Sequence, residues 1–275
     1  MKKIYLSLTL MILTSLGQSL FAAKVDSVMV HSLSMDKNLD CRVITPDCYT
    51  EGERYPVVYL LHGYGGDAKG WVNKYNTREL CDQYSCIIVA VDGGFSSWYW
   101  DSPVDDSMKF ETFVAHELVE FIDQNYKTIA DRSARAVTGL SMGGQGAMYL
   151  SIRNQEVYGA VCSMSGGLDI RPFPERWDMA QRLGTIEERP ENWEDFAVIN
   201  QLDRLQADSL AIYFDCGVDD FFYEGNVAFH EALTERKIAH TFTSSPGAHT
   251  LQYWRNSLPY HFLFFDTFFK KSKTN

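Results

Sequence analysis

None of the six cysteines (Cys41, Cys48, Cys81, Cys86, Cys162 and Cys216) stands in Cys-x-x-Cys spacing, so the chain lacks the commonest sequence mark of a zinc site. Positive charge is scarce as well: 25 Lys and Arg against 36 Asp and Glu leave a formal charge of −11. That deficit excludes the basic surface that nucleic acid and anionic membranes select, but says little about a neutral sugar or ester. A run apolar enough to span a membrane is also missing. The nearest, Ile4 to Phe21, is diluted by Ser7, Thr9, Thr14, Ser15, Gln18 and Ser19. With Met1-Lys2-Lys3 before it and Ala22-Ala23 behind, it has the basic, apolar and small-residue zones of a secretory signal peptide, 1–22, with cleavage expected after Ala22 or Ala23. No cysteine follows directly to carry a lipid. The expectation is an exported, periplasmic or extracellular protein with no stable membrane anchor, and loss of Lys2 and Lys3 takes its charge from −11 to −13.

The remainder, 23–275, is long enough for one domain with a well-buried core and does not need disulfides to hold it. Cys81 and Cys86 flank a helix-to-strand turn and are the pair expected to meet. Cys41 and Cys48 lie along one extended segment, out of bonding reach.

What the chain does have is Ala136-Val137-Thr138-Gly139-Leu140-Ser141-Met142-Gly143-Gly144-Gln145-Gly146-Ala147. An apolar strand-like run, Arg135 to Leu140, turns through Ser141 into a helix start, and small residues flank the serine because the turn leaves little room for Cβ atoms. Gly-x-Ser-x-Gly in that setting reads as a nucleophile elbow. The Met142 N–H then falls at a helix N-terminus, where partial positive charge can meet a developing oxyanion.

Around this element the chain alternates strands and helices. Val25 to Ser32 and Leu39 to Thr45 read as an antiparallel edge pair. Tyr55 to Leu61 is a run without polar alternation, as a central strand covered on both faces requires. It leads into His62-Gly63-Tyr64-Gly65-Gly66, where backbone N–H groups can approach a ligand. Tyr64 is the first choice for a second oxyanion donor and Gly65 the next. His62 reads as a hydrogen-bonded structural residue. Trp71 to Tyr84 reads as a helix and Cys86 to Val91 as a buried strand.

The following loop carries Trp98, Tyr99 and Trp100, which either line a ligand cleft or pack the loop against the body; Asp101 is expected to fix the loop by accepting backbone hydrogen bonds. Phe110 to Tyr126 has helical periodicity, with His116 and Glu117 read as surface residues. Gly159 to Met164 is a further strand. From Gly166 to Leu205 prolines and tryptophans break the alternation, and this excursion is placed to form a cap over the cleft. Alternation resumes with Leu210 to Gly217, Asn226 to Ile238, Ala239 to Ser244 and a last helix carrying Trp254.

A serine hydroxyl needs a base within hydrogen-bond reach and a carboxylate that holds the base's tautomer. Elbow hydrolases supply these in the order Ser, Asp or Glu, His, each after a strand. Here that order is Ser141, then Asp219 or Asp220, then His249 in Ser245-Pro246-Gly247-Ala248-His249. Asp220 is preferred because it ends its turn and can face back toward the serine. His230 and His240 fall inside a helix and a strand.

The run Val57 to Gly63 with Gly65-Gly66, the Gly139-Leu140-Ser141-Met142-Gly143-Gly144 elbow, Cys216-Gly217-x-Asp219-Asp220, and Pro246-Gly247-Ala248-His249 with Tyr253-Trp254 resemble the putative-esterase family of α/β-hydrolases. That family includes the feruloyl and acetylxylan esterases of carbohydrate esterase family one, tributyrin esterases, S-formylglutathione hydrolases and mycolyltransferases. The likeness runs over nearly all of 23–275. It implies an α/β-hydrolase fold, with a mostly parallel sheet, helices on both faces and an antiparallel N-terminal edge. It also implies a serine carboxylesterase without metal or cofactor, in which Ser141 is nucleophile, Asp220 acid and His249 base, with Tyr64 and Met142 as oxyanion donors. Trp98, Trp100 and Trp254 are the expected substrate-lining residues. The implied substrate is a small-molecule or oligosaccharide ester, feruloyl or acetyl, on plant-carbohydrate fragments. Acyl transfer on the same fold and a binding module that has lost the chemistry are the alternatives.

Overall fold

The computed structural model describes residues 23–206 and 208–272, so the leader-like segment lies outside the described residues. One mixed sheet organises the chain. Its strands are β1 (Lys24–Ser32), β2 (Lys37–Thr45), β3 (Val57–Leu61), β4 (Ile87–Val91), β5 (Arg135–Gly139), β6 (Ala160–Met164), β7 (Ala211–Gly217) and β8 (Thr241–Ser245). They lie in the order β1-β2-β4-β3-β5-β6-β7-β8, with β1 and β2 antiparallel and β3 to β8 parallel. This is the α/β-hydrolase arrangement with its antiparallel edge.

Every residue of β3, β4, β5 and β6 is buried, which explains why those strands read as apolar runs rather than alternating ones. The alternation of side chains shows instead in the two cores. Val57, Tyr59, Leu61, Val89 and Val137 face one side, with Phe113, Met148 and Leu150 from the helices there. Val58, Leu60, Ile88 and Ala136 face the other, under Trp71, Leu80 and the C-terminal helix Leu251–Ser272. That helix buries Leu258, Phe262, Phe265 and Phe269 on one stripe. Each such burial is worth about 1.5–3 kcal/mol.

The strand order reverses between β3 and β5, the place where an open α/β sheet leaves a crevice beyond its carboxyl ends. The loops after those strands are 62–66 and the Ser141 turn.

Three expectations are corrected. The helix expected over Trp71 to Tyr84 is two, Ala68–Lys74 and Thr77–Tyr84. Tyr75 is extended between them, at φ −127° and ψ 161°, with its ring packed 4.6 Å from that of Trp71, and Asn76 takes the N-cap position of the second helix. The helix over Phe110 to Tyr126 carries a π turn at Phe113–Glu117. Glu117 is not a free surface residue: it accepts from the Ser32 hydroxyl at 2.6 Å and the Ser34 N–H at 2.7 Å, tying the end of β1 to this helix. Finally, all six cysteines are free thiols. Cys81 Sγ points at the carbonyls of Cys86 (3.0 Å) and Ile44 (3.5 Å) rather than at a second sulfur, and burial pushes the Cys81 and Cys86 thiols up.

The excursion expected over Gly166 to Leu205 contains helices Met179–Leu183 and Pro190–Phe196 and a 3₁₀ turn Val198–Arg204. Trp193, on the second of these helices, is buried, and Arg182 pairs with Asp105 at 2.7 Å. Asp178 accepts from the Tyr64 hydroxyl at 2.9 Å, joining the excursion to the loop after β3.

Candidate active site

Ser141 links β5 to the helix Met142–Arg153 in a backbone conformation, φ 56° and ψ −120°, that non-glycine residues rarely adopt. Such a residue costs about 1–3 kcal/mol and persists where its surroundings over-determine it. Here the surroundings are glycines: a Cβ on Gly139 would collide with the Gly143 carbonyl, and one on Gly143 with the Leu61 carbonyl. The small residues of the motif thus let the helix start press against the ends of β3 and β5, with Ser141 N–H held by Met164 O at 2.9 Å.

Three residues from three loops meet at this point. His249 Nε2 is 2.8 Å from Ser141 Oγ, and His249 Nδ1 is 2.8 Å from Asp220 Oδ2. Asp220 is buried, and its second oxygen accepts the Phe222 N–H at 2.9 Å, so the carboxylate is fixed on both sides. The neighbouring Asp219 is exposed, its N–H donating to Gly247 O. His249 lies among rings: Phe221 at 4.2 Å and Trp254, edge-on, at 4.9 Å. With a carboxylate on Nδ1, the arrangement orients Nε2 to accept the serine proton.

Of the two backbone donors considered after β3, Gly65 is engaged, its N–H donating to Phe95 O at 2.8 Å. Tyr64 lines the cleft beside Ser141. Met142 is the first residue of its helix, and the first N–H groups of a helix have no intrahelical partner. His62 is held from both sides, by Gly63 O at 2.8 Å from Nδ1 and the Gly93 N–H at 2.9 Å from Nε2, and burial lowers its pKa. It is fixed as a neutral, structural imidazole.

The cleft over Ser141 has a volume of about 540 Å³. Trp254 lines it, as expected. Trp98 and Trp100 do not. Both are buried, stacked on each other at 5.5 Å, with Trp98 Nε1 donating to Trp177 O. Trp98 and Tyr99 have positive φ, which turns this loop inward so that its aromatics pack the body instead of the cleft. Asp101 does fix the loop, accepting the Thr112 N–H at 3.0 Å. Two cleft walls escaped the sequence reading, Trp177 and Phe221, whose rings stack at 5.3 Å. Phe221 carried a usable signal, an apolar ring in a turn directly after the acidic pair. Among the described residues no cluster of three or more His, Cys, Asp or Glu could hold a metal ion.

Comparison with known proteins places the chain among esterases. A family model described as "Putative esterase" matches residues 32–265. An esterase of Mycobacterium tuberculosis is 36% identical over 139 residues, 49% of this chain and 30% of its own length, so the chain spans less than a third of that relative. An acetyl esterase of Caldicellulosiruptor saccharolyticus is 25% identical over 216 residues, covering 74% of this chain and 80% of the relative. Among solved structures, a ferulic acid esterase superposes with a TM-score of 0.78 at 27% identity, over 90% of this chain and 99% of the other.

Proposed function

The chain belongs to the putative-esterase family, and from that premise we propose that it is a serine carboxylesterase working through an acyl-enzyme. The observation that carries the reading is the unbroken line Ser141 Oγ, His249 Nε2, His249 Nδ1, Asp220 Oδ2, each contact 2.8 Å. Ser141 Oγ attacks the acyl carbonyl as His249 takes its proton, and Asp220 stabilises the imidazolium. The carbonyl oxygen, now negative, accepts from the Met142 and Tyr64 N–H groups. Collapse expels the alcohol, which leaves with the proton from His249. Water then attacks the acyl carbon as it gives a proton to His249, and the acid is released as the bond to Ser141 Oγ breaks and His249 returns that proton to the serine oxygen.

The substrate class we propose is an acetyl or feruloyl ester on a plant-carbohydrate fragment. It is supported by the acetyl and ferulic acid esterases among the similar proteins and by the aromatic walls Trp177, Phe221 and Trp254. The excursion 166–205 acts as a cap, contributing Trp177 to the cleft. Export is part of this reading, and the Met1 to Ala23 pattern supports it. The test is turnover of p-nitrophenyl acetate and methyl ferulate by the wild type and Ser141→Ala. Activity that survives the substitution defeats the assignment, and the ratio of kcat/KM for the two esters reads the acyl preference.

A further inference from the structure

Beneath the Ser141 line lies a second one of the same chemical make-up. His261 Nε2 is 2.6 Å from Asp215 Oδ2, and His261 Nδ1 is 2.7 Å from Thr138 Oγ1. The Ser257 hydroxyl donates to the same Asp215 oxygen at 2.5 Å. All four residues are buried, Thr138 and His261 completely, and none lines the cleft over Ser141. They do not touch substrate.

Their placement is nevertheless tied to the residues above. Thr138 lies on β5 shortly before the Ser141 turn, Asp215 lies on β7 shortly before the Asp220 loop, and His261 lies on the helix that begins two residues after His249. A buried carboxylate–imidazole pair is a poor stabiliser, because desolvation offsets much of its attraction and apolar side chains of similar volume often serve as well. What it adds over apolar packing is direction, since each hydrogen bond fixes a distance and an angle between two elements.

We propose that Thr138, His261, Asp215 and Ser257 form a positioning relay that locks the C-terminal helix to β5 and β7, and so holds His249 within reach of both Ser141 and Asp220. The inference rests on the esterase reading above. Ser257 and His261 are one helical turn apart, so both grip Asp215 from one face of the helix. At the helix start Trp254 N–H is bonded to Thr250 O, next to His249. A slide or rotation of the helix therefore moves the imidazole, and misplacement by about 1 Å can cost on the order of 10²-fold in rate.

The experiment compares Thr138→Val, which removes only the hydroxyl, His261→Phe, which removes both polar contacts, and His261→Gln, which can keep both. Hydrolysis of p-nitrophenyl acetate is measured per active site, sites being counted by end-point titration with a fluorophosphonate so that misfolded protein drops out. The relay predicts a kcat per site lowered roughly tenfold or more in His261→Phe and by a smaller factor in Thr138→Val, KM within about twofold, and recovery of most of the loss in His261→Gln. If His261→Phe does not fold, Thr138→Val decides alone. A variant with a lower Tm but wild-type kcat per site overturns the proposal, because the network is then structural only. A wild type that neither labels nor turns over an ester overturns the esterase reading and this inference with it.

Discussion

Two hydroxyl–imidazole–carboxylate lines run through this molecule, one opening on the cleft and one buried away from it. Ser141, His249 and Asp220 sit in loops beyond the strand ends, with the His249 side chain partly exposed. Thr138, His261 and Asp215 sit inside β5, the C-terminal helix and β7, buried and away from the cleft over Ser141. The chemistry of the groups is nearly the same, so the difference lies in access and in the backbone. Only Ser141 is on a strained turn beside helix N–H groups that can meet an oxyanion. A relay of this kind becomes a catalyst when its hydroxyl is presented to a carbonyl, and it is a bracket when it is not.

The comparison breaks most visibly at the hydroxyls. Ser141→Ala is expected to lower kcat/KM for p-nitrophenyl acetate by about 10⁴-fold or more, against the much smaller effect of Thr138→Val. At the carboxylates, Asp220→Asn is expected to lower kcat by about 10⁴-fold, because the amide favours the wrong imidazole tautomer. Asp215→Asn, which acts only through position, is expected to cost roughly tenfold. Steady-state kinetics on the two variants side by side check this; equal losses would erase the distinction.

A third imidazole sharpens the contrast through pH. Burial holds the His62 pKa below its ordinary value of 6.5, so below that pH the unfolded chain binds a proton that the folded chain refuses. Its contribution to stability is therefore full above about pH 6.5 and lost progressively as pH falls below that value through the lower pKa of the folded state. Thermal melts between about pH 8 and pH 5 are expected to show a shallower acid decline in His62→Asn than in the wild type. The smallest effect belongs to Trp98→Phe, which is expected to leave KM within about twofold because that ring faces the core, whereas Trp177→Ala should raise KM for methyl ferulate.

The two lines also differ in how far the sequence announces them. The upper residues stand where chain punctuation marks them: Gly-x-Ser-x-Gly, an acidic pair after Gly217, and a Pro-Gly turn before His249. The sheet was legible for a related reason, since strands covered on both faces become unbroken apolar runs. The lower residues sit inside regular elements, and only contacts between elements far apart in the chain reveal that they meet. Asp215 was the one available clue, a carboxylate within the apolar run of β7. Trp98 and Trp100 show the converse limit. Composition marks an aromatic loop, but the side it faces is set by two positive φ angles that composition does not encode. The π turn at Phe113–Glu117 escaped because one extra residue per turn leaves a helical pattern almost intact.

The central claim is that Ser141 carries the acyl group between the two half-reactions. Acid-quenching the protein during turnover of p-nitrophenyl acetate and locating the modified peptide by mass spectrometry tests it directly. The account predicts one acetyl group on Ser141, accumulating in His249→Asn only at a greatly reduced rate. Turnover with no acyl group on the protein, or with the group on another residue, would contradict it.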